Sequence, residues 1–154
     1  MRQLSKLTRS LHVVDAANEL GSGLFTEDDA RHLHSAWLAT VPVREHDLVM
    51  AATGPGTAAE LGFGWGHGLL KIRPGQNGAD FAIIEYLEDM LTRAASFDHL
   101  YLGTGDHEMV EVTKKWVAAG VPVTVVGRSR VIHHKYFKMP VEIKIIDELW
   151  ALAS

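Results

Sequence analysis

Apolar and polar positions along the chain fall into alternating blocks. The runs "LHVVDA" (11–16), "DLVMAAT" (47–53), "LLKIR" (69–73), "HLYLGT" (99–104) and "PVTVVG" (122–127) are apolar almost throughout. That is the pattern of strands buried on both faces. "VEIKII" (141–146) predicts a last, edge strand. Between the runs lie segments of helical period. "TEDDARHLHSAWLA" (26–39) predicts a helix capped by Thr26, with Asp28 and Asp29 in its first turn and Ala30, Leu33 and Trp37 as its apolar stripe. "ADFAIIEYLEDMLTRAA" (79–95) repeats Ile83, Ile84, Leu87, Leu91 and Ala94 at i, i+3/i+4 spacing. "HEMVEVTKKWVAAG" (107–120) puts Met109, Val112, Trp116 and Val117 on one face and ends on Gly120, which suits a left-handed cap. "DELWALA" (147–153) predicts a short terminal helix.

Strand–helix alternation predicts an α/β protein, a three-layer α/β/α sandwich around a central, mostly parallel sheet of five or six strands. No linker or repeat interrupts residues 1–154, so one domain is expected. The glycine-rich stretch 54–68 reads as a flexible loop with one helical turn around Ala58–Leu61. Trp65 within it suits either a stacking residue or a packing plug. It lacks the G-x-x-x-x-G-K-[ST] pattern of a phosphate loop.

Composition narrows the chemistry. The 154 residues include no cysteine, which excludes disulfides, thiolate zinc sites and a cysteine nucleophile. A cytoplasmic location fits this. The formal net charge of −4 argues against a generic polyanion binder but leaves room for a local basic patch. The opening "MRQLSKLTRS" has no long apolar core, and no run is long enough to span a membrane, so neither a signal peptide nor a membrane partner is expected.

In a parallel sheet of this kind, ligands sit beyond the carboxyl ends of the strands, where the strand order reverses. Asp15 and Asn18 follow the first strand, Asn77 and Asp80 the third, and Thr104, Asp106 and Glu108 the fourth. Asp80 and Asp106 each have an ordinary reading as helix-cap or turn residues. Asp15 is harder to dismiss, since it ends a run expected to be buried. Converging carboxylates stay ionised together only with a compensating cation. Oxygen ligands without cysteine suit a hard cation, Mg²⁺ or Mn²⁺, and phosphodiester hydrolysis is the natural chemistry. The basic segment "RSRVIHHKYFK" follows the fifth strand, and its Arg128, Arg130 and Lys135 suit a phosphate backbone; Arg73 could assist from the third strand. The neighbouring His133 and His134 have no helical H-x-x-x-H spacing to support a metal role.

"VVDAAN", "NGADFAII" and "GTGDHEMVEV", in this order and spacing, resemble the motifs of NYN domains, a branch of the PIN-like ribonuclease superfamily. The likeness runs from Leu11 to the predicted terminal helix. It implies a compact, Rossmann-like α/β/α fold and a Mg²⁺- or Mn²⁺-dependent acidic cluster that cleaves RNA. Asp15 looks like the first family acid and Asn18 like the amide after it. Asp80 is similar to the acid of the middle helix, Asp106 and Glu108 to the acids of the S-G-D-x-D segment, and Thr104 stands in its serine position. Ser129 resembles the serine after the fifth strand. Two positions depart from the pattern: Glu108 replaces an aspartate, and Tyr86, beside Glu85, stands where another acid is usual.

The resulting expectation is a metal-dependent endoribonuclease, with homodimerisation left open. Its first rival is an RNA-binding or interaction module on the same fold. A receiver is disfavoured because Asn18 and Arg128 stand where a second acid and a lysine are wanted, and a D-x-D phosphatase because Ala17 takes the second acid position.

Overall fold

The computed structural model describes residues 9–66, 68–75 and 78–146. Asn77 and the helix predicted over 147–153 lie outside them. Six strands form one sheet: β1 (Arg9–Asp15), β2 (Leu48–Thr53), β3 (Leu69–Ile72), β4 (Phe97–Gly103), β5 (Val123–Gly127) and β6 (Glu142–Ile145). Every pairing is parallel, in the order β3-β2-β1-β4-β5-β6. The order reverses between β1 and β4, and this is where a doubly wound sheet opens a crevice at its carboxyl edge. β6 lies at the edge, as its sequence predicts.

Helices cover both faces, so the protein is a three-layer α/β/α sandwich. On one face lie α1 (Ala16–Leu20), α2 (Glu27–Thr40) and α3 (Ala58–Trp65). Their Leu33, Trp37, Leu61 and Trp65 pack on Val14, Val49 and Ala51. On the other lie α4 (Gly78–Leu91) and α5 (Val110–Ala118), whose Ile83, Leu87, Val112 and Trp116 pack on Leu11, Val13, Leu100 and Val125. The four central strands alternate their side chains between two apolar layers, which explains their unbroken apolar runs. β3, expected to be buried on both faces, is instead an edge strand with Leu69 and Ile72 exposed. Thr26 caps α2 in a capping box with Asp29. Gly120, at φ 87°, closes α5 as its left-handed position requires.

Two further segments differ from the sequence expectation. Ala16, expected to end the first strand, opens the five-residue helix α1. The glycine-rich stretch holds a 3-10 turn (Pro55–Thr57) and the eight-residue α3, longer than the single turn expected. One glycine there has a steric reason: at Gly64 a Cβ would lie 2.6 Å from that of Ala30, so its absence lets α3 close on α2. Trp65 is a packing plug, 3% exposed, beside Trp37.

A polar chain pins the amino edge of the sheet. His12 Nδ1 accepts from the Trp37 indole N–H at 3.1 Å, which leaves the Nε2 hydrogen for Asp47 Oδ2 at 3.0 Å. Asp47 also accepts from the backbone N–H groups of Ser10 (2.8 Å) and Arg44 (2.9 Å). Burial opposes ionisation of Asp47, but these donors outweigh it and hold its carboxyl below the usual range. Asp47→Ala strands several of these donors and should cost about 1–3 kcal/mol in urea denaturation. An unchanged midpoint would show that the chain contributes nothing.

Candidate functional site

The carboxyl edge between β1 and β4 opens into a cavity of about 510 Å³. Three aspartates reach it from three elements. Asp15 is the last residue of β1 and is 3% exposed. It also caps α1, accepting the Asn18 N–H on Oδ1 at 3.2 Å. Asp80 lies inside the first turn of α4, not at its cap, and is 7% exposed. Asp106 follows β4 and caps the 3-10 turn His107–Met109, accepting the Glu108 N–H at 3.0 Å. So Asp15 and Asp106 serve as caps and as cavity walls at once.

The three carboxyls interact. Burial first, then a hydrogen bond to Asp80, push the Asp15 carboxyl up to about 8. Burial also raises Asp80, which meets Asp15 on one side and Asp106 on the other. Like charges this close, in a partly dry site, oppose one another's ionisation, and both Asp15 and Asp80 are held above the usual carboxylate range. Small residues complete the walls: Ala17, Gly54, Gly78 and Ala79 leave the space in front of the acids open. Thr53, at the end of β2, lines the same space and hydrogen-bonds Thr57 at 2.7 Å. Its only signal in the sequence is its place at a strand end. Among the described residues, no three His, Cys, Asp or Glu side chains form a ready-made metal-ligand set.

The loop that carries Asp106 is held from three sides. The Gly105 N–H donates to Asn18 Oδ1 at 2.9 Å. The Gly105 carbonyl accepts from the His133 N–H at 2.8 Å. The buried Tyr136 hydroxyl donates to the Asp106 carbonyl at 2.7 Å. Thr104, fully buried, accepts the Asp106 N–H on its hydroxyl at 3.1 Å. Asn18 and Thr104 thus shape the site through the backbone of the 104–106 loop. Tyr136 does the same, and nothing in the sequence marks it for that role.

The remaining expected site residues divide. Glu108 is exposed on the rim, with its carboxylate 3.2 Å from His107 Nε2 and near enough to Asp80 to raise it. Arg128 lies over Gly21, a cavity-lining residue at φ 74°, where any Cβ would strike the guanidinium. Arg130 lines a second cavity that shares Asn18, Asp106 and Val131 with the first. Ser129 and Lys135 are exposed on the same segment. Arg73 is not part of the group. It is paired with Glu85 at 2.8 Å and lies over Phe81, at a separate hollow. The third strand ends far enough along the sheet for its neighbour to be the flank of α4.

No family model matches the chain, and no curated protein or solved structure matches it.

Proposed function

We propose that the protein is a metal-dependent nuclease, most simply an endoribonuclease of NYN type in the PIN-like superfamily. The observation that carries this is the meeting of Asp15, Asp80 and Asp106 in one open cavity at the strand-order reversal. RNA as substrate rests on the likeness of three motifs to NYN domains. Among the described residues no helix is long and apolar enough to cross a membrane. The cytoplasmic setting proposed with this function rests on the absence of cysteine from the sequence. The exposed Leu69 and Ile72 of edge strand β3 support a homodimer.

The donor set fits Mg²⁺ or Mn²⁺. It is all oxygen, it is crowded with like charge, and its glycine and alanine walls leave room for water and phosphate. Mg²⁺ needs only one or two protein carboxylates and keeps several waters, so a closed three-ligand set is not required. Asp15 and Asp80 would hold the ion, with Asp106 beside them and Glu108 at the rim. The ion supplies Lewis acidity toward water and charge neutralisation at the phosphate. The chain supplies the rest. Asn18, Thr104 and Tyr136 fix the Asp106 backbone. Arg128 and Arg130 hold the nucleic-acid backbone, with Ser129 and Lys135 on the same segment.

Labelled RNA and DNA, incubated with the purified protein in millimolar Mg²⁺ or Mn²⁺ or in EDTA, test this. RNA is expected to be cut only with metal, and Mn²⁺ binding should register by calorimetry. Neither cleavage nor Mn²⁺ binding at millimolar concentration, with RNA present, would overturn the nuclease reading in favour of a binding module.

A further inference from the structure

The second cavity, of about 430 Å³, is separated from the first only by Asn18, Asp106 and Val131, which line both. Its other walls include Arg130 and three histidines, His107, His133 and His134. The imidazoles form a row. His107 and His133 have ring centroids 5.5 Å apart, and His133 and His134 4.2 Å apart. The row joins two loops that are far apart in sequence and held together by the His133–Gly105 and Tyr136–Asp106 bonds.

The ring orientations favour a particular ligand. His133 Nδ1 accepts the Lys135 N–H at 3.2 Å as the cap of a 3-10 turn, so its remaining hydrogen sits on Nε2 as a donor. His107 has both nitrogens directed to carboxylates, Asp106 and Glu108, each at 3.2 Å. Its edges are engaged, and its face is what it can offer. Among the described residues the group has no metal-holding geometry. Flat π faces beside a guanidinium, next to a site for a phosphodiester, match an unpaired base and its phosphate.

We propose that this cavity is a subsite for the nucleotide adjacent to the scissile phosphate, with the base stacked on the histidine row and its phosphate held by Arg130. The substrate class is therefore single-stranded RNA, since stacking on a side chain takes an unpaired base. This rests on the nuclease reading for the word scissile, but the binding it asserts is measured separately.

The test uses the full chain carrying Asp15→Asn, in Mg²⁺, with fluorescence anisotropy of a labelled single-stranded RNA. Two variants are added to that background: Arg130→Ala with His134→Ala, both exposed, and His133→Asn, which keeps an acceptor for the Lys135 N–H. Each is expected to weaken binding about 5- to 20-fold. The arginine variant should also lower the slope of log affinity against log salt by about one. Lys114→Ala, a lysine on α5 paired with Glu111, controls for lost charge. A duplex of equal length should compete at least about tenfold less well than the single strand. Variants that bind like Lys114→Ala, or a duplex that competes equally, would overturn the subsite. Absence of metal-dependent cleavage by the parent chain would instead overturn the nuclease reading and leave the binding result standing, whereas cleavage by the otherwise unaltered Asp15→Asn chain would overturn the acidic-site mechanism.

Discussion

Asp15→Asn should abolish metal-dependent RNA cleavage and, at the same time, make the metal-free protein more stable. The first half follows from position. Asp15 is the most buried acid of the cavity and contacts Asp80, so loss of its charge should cost at least about 100-fold in rate or metal affinity. The second half follows from linkage. Folding raises this carboxyl from 3.8 to about 8, so between these values the folded chain holds a proton that the unfolded chain has released. Stability from this group is therefore greatest below about pH 4 and declines as pH rises toward 8. Asparagine keeps the shape and removes the titration. The variant should melt about 3–8 °C higher than the parent at pH 8 without metal, and the gap should close as pH falls toward 4. Added Mg²⁺ should raise the parent's melting temperature and not the variant's. A variant that melts lower than the parent at pH 8 would mean that Asp15 is a structural partner and not a site held against its own stability.

The acids were legible because of where they stand. Each follows a strand, and in a parallel sheet strand ends share one edge. Burial explains why the framework was legible too, since two-sided strands and amphipathic helices write their periods directly into the chain. What the pattern misses is short or glycine-rich. Helix α1 has five residues, too few to show a stripe. Helix α3 contains Gly62 and Gly64, both poor helix formers, and of the two Gly64 is required by a close neighbour, the backbone of α2. Tertiary facts are missed as well. Arg73 is drawn to Glu85 by the turn of α4, and spacing along the chain does not reveal it. The histidine row needs loops 104–109 and 128–138 to touch, and that contact depends on a glycine whose reason is steric.

That glycine is Gly105, and replacing it should separate the acids without altering any of them. A Cβ there would stand 2.6 Å from the Ile132 Cα and 2.6 Å from the Val131 carbonyl oxygen, both backbone atoms that cannot rotate aside. Gly105→Ala must therefore push the two loops apart. The Gly105 bonds to Asn18 and His133 are the first to lengthen, and Asp106 moves with them. The expected cost is about 1–3 kcal/mol of stability. Cleavage should fall at least about tenfold beyond the loss of folded protein, because a misplacement of about 1 Å is enough to disable a site. Gly56→Ala supplies the comparison, since nothing lies within 4 Å of its Cβ, and should leave both properties unchanged. Tyr136→Phe guards against simple misfolding. It keeps the buried ring and removes only the hydroxyl that bonds the Asp106 carbonyl, so it should cost about 1 kcal/mol and still slow cleavage. Circular dichroism and denaturant titration report the fold, and single-turnover cleavage in saturating Mn²⁺ reports the site. A folded Gly105→Ala protein that cuts at the parent rate would show that the loop contact does not position Asp106, and the three-acid arrangement would then need a different support.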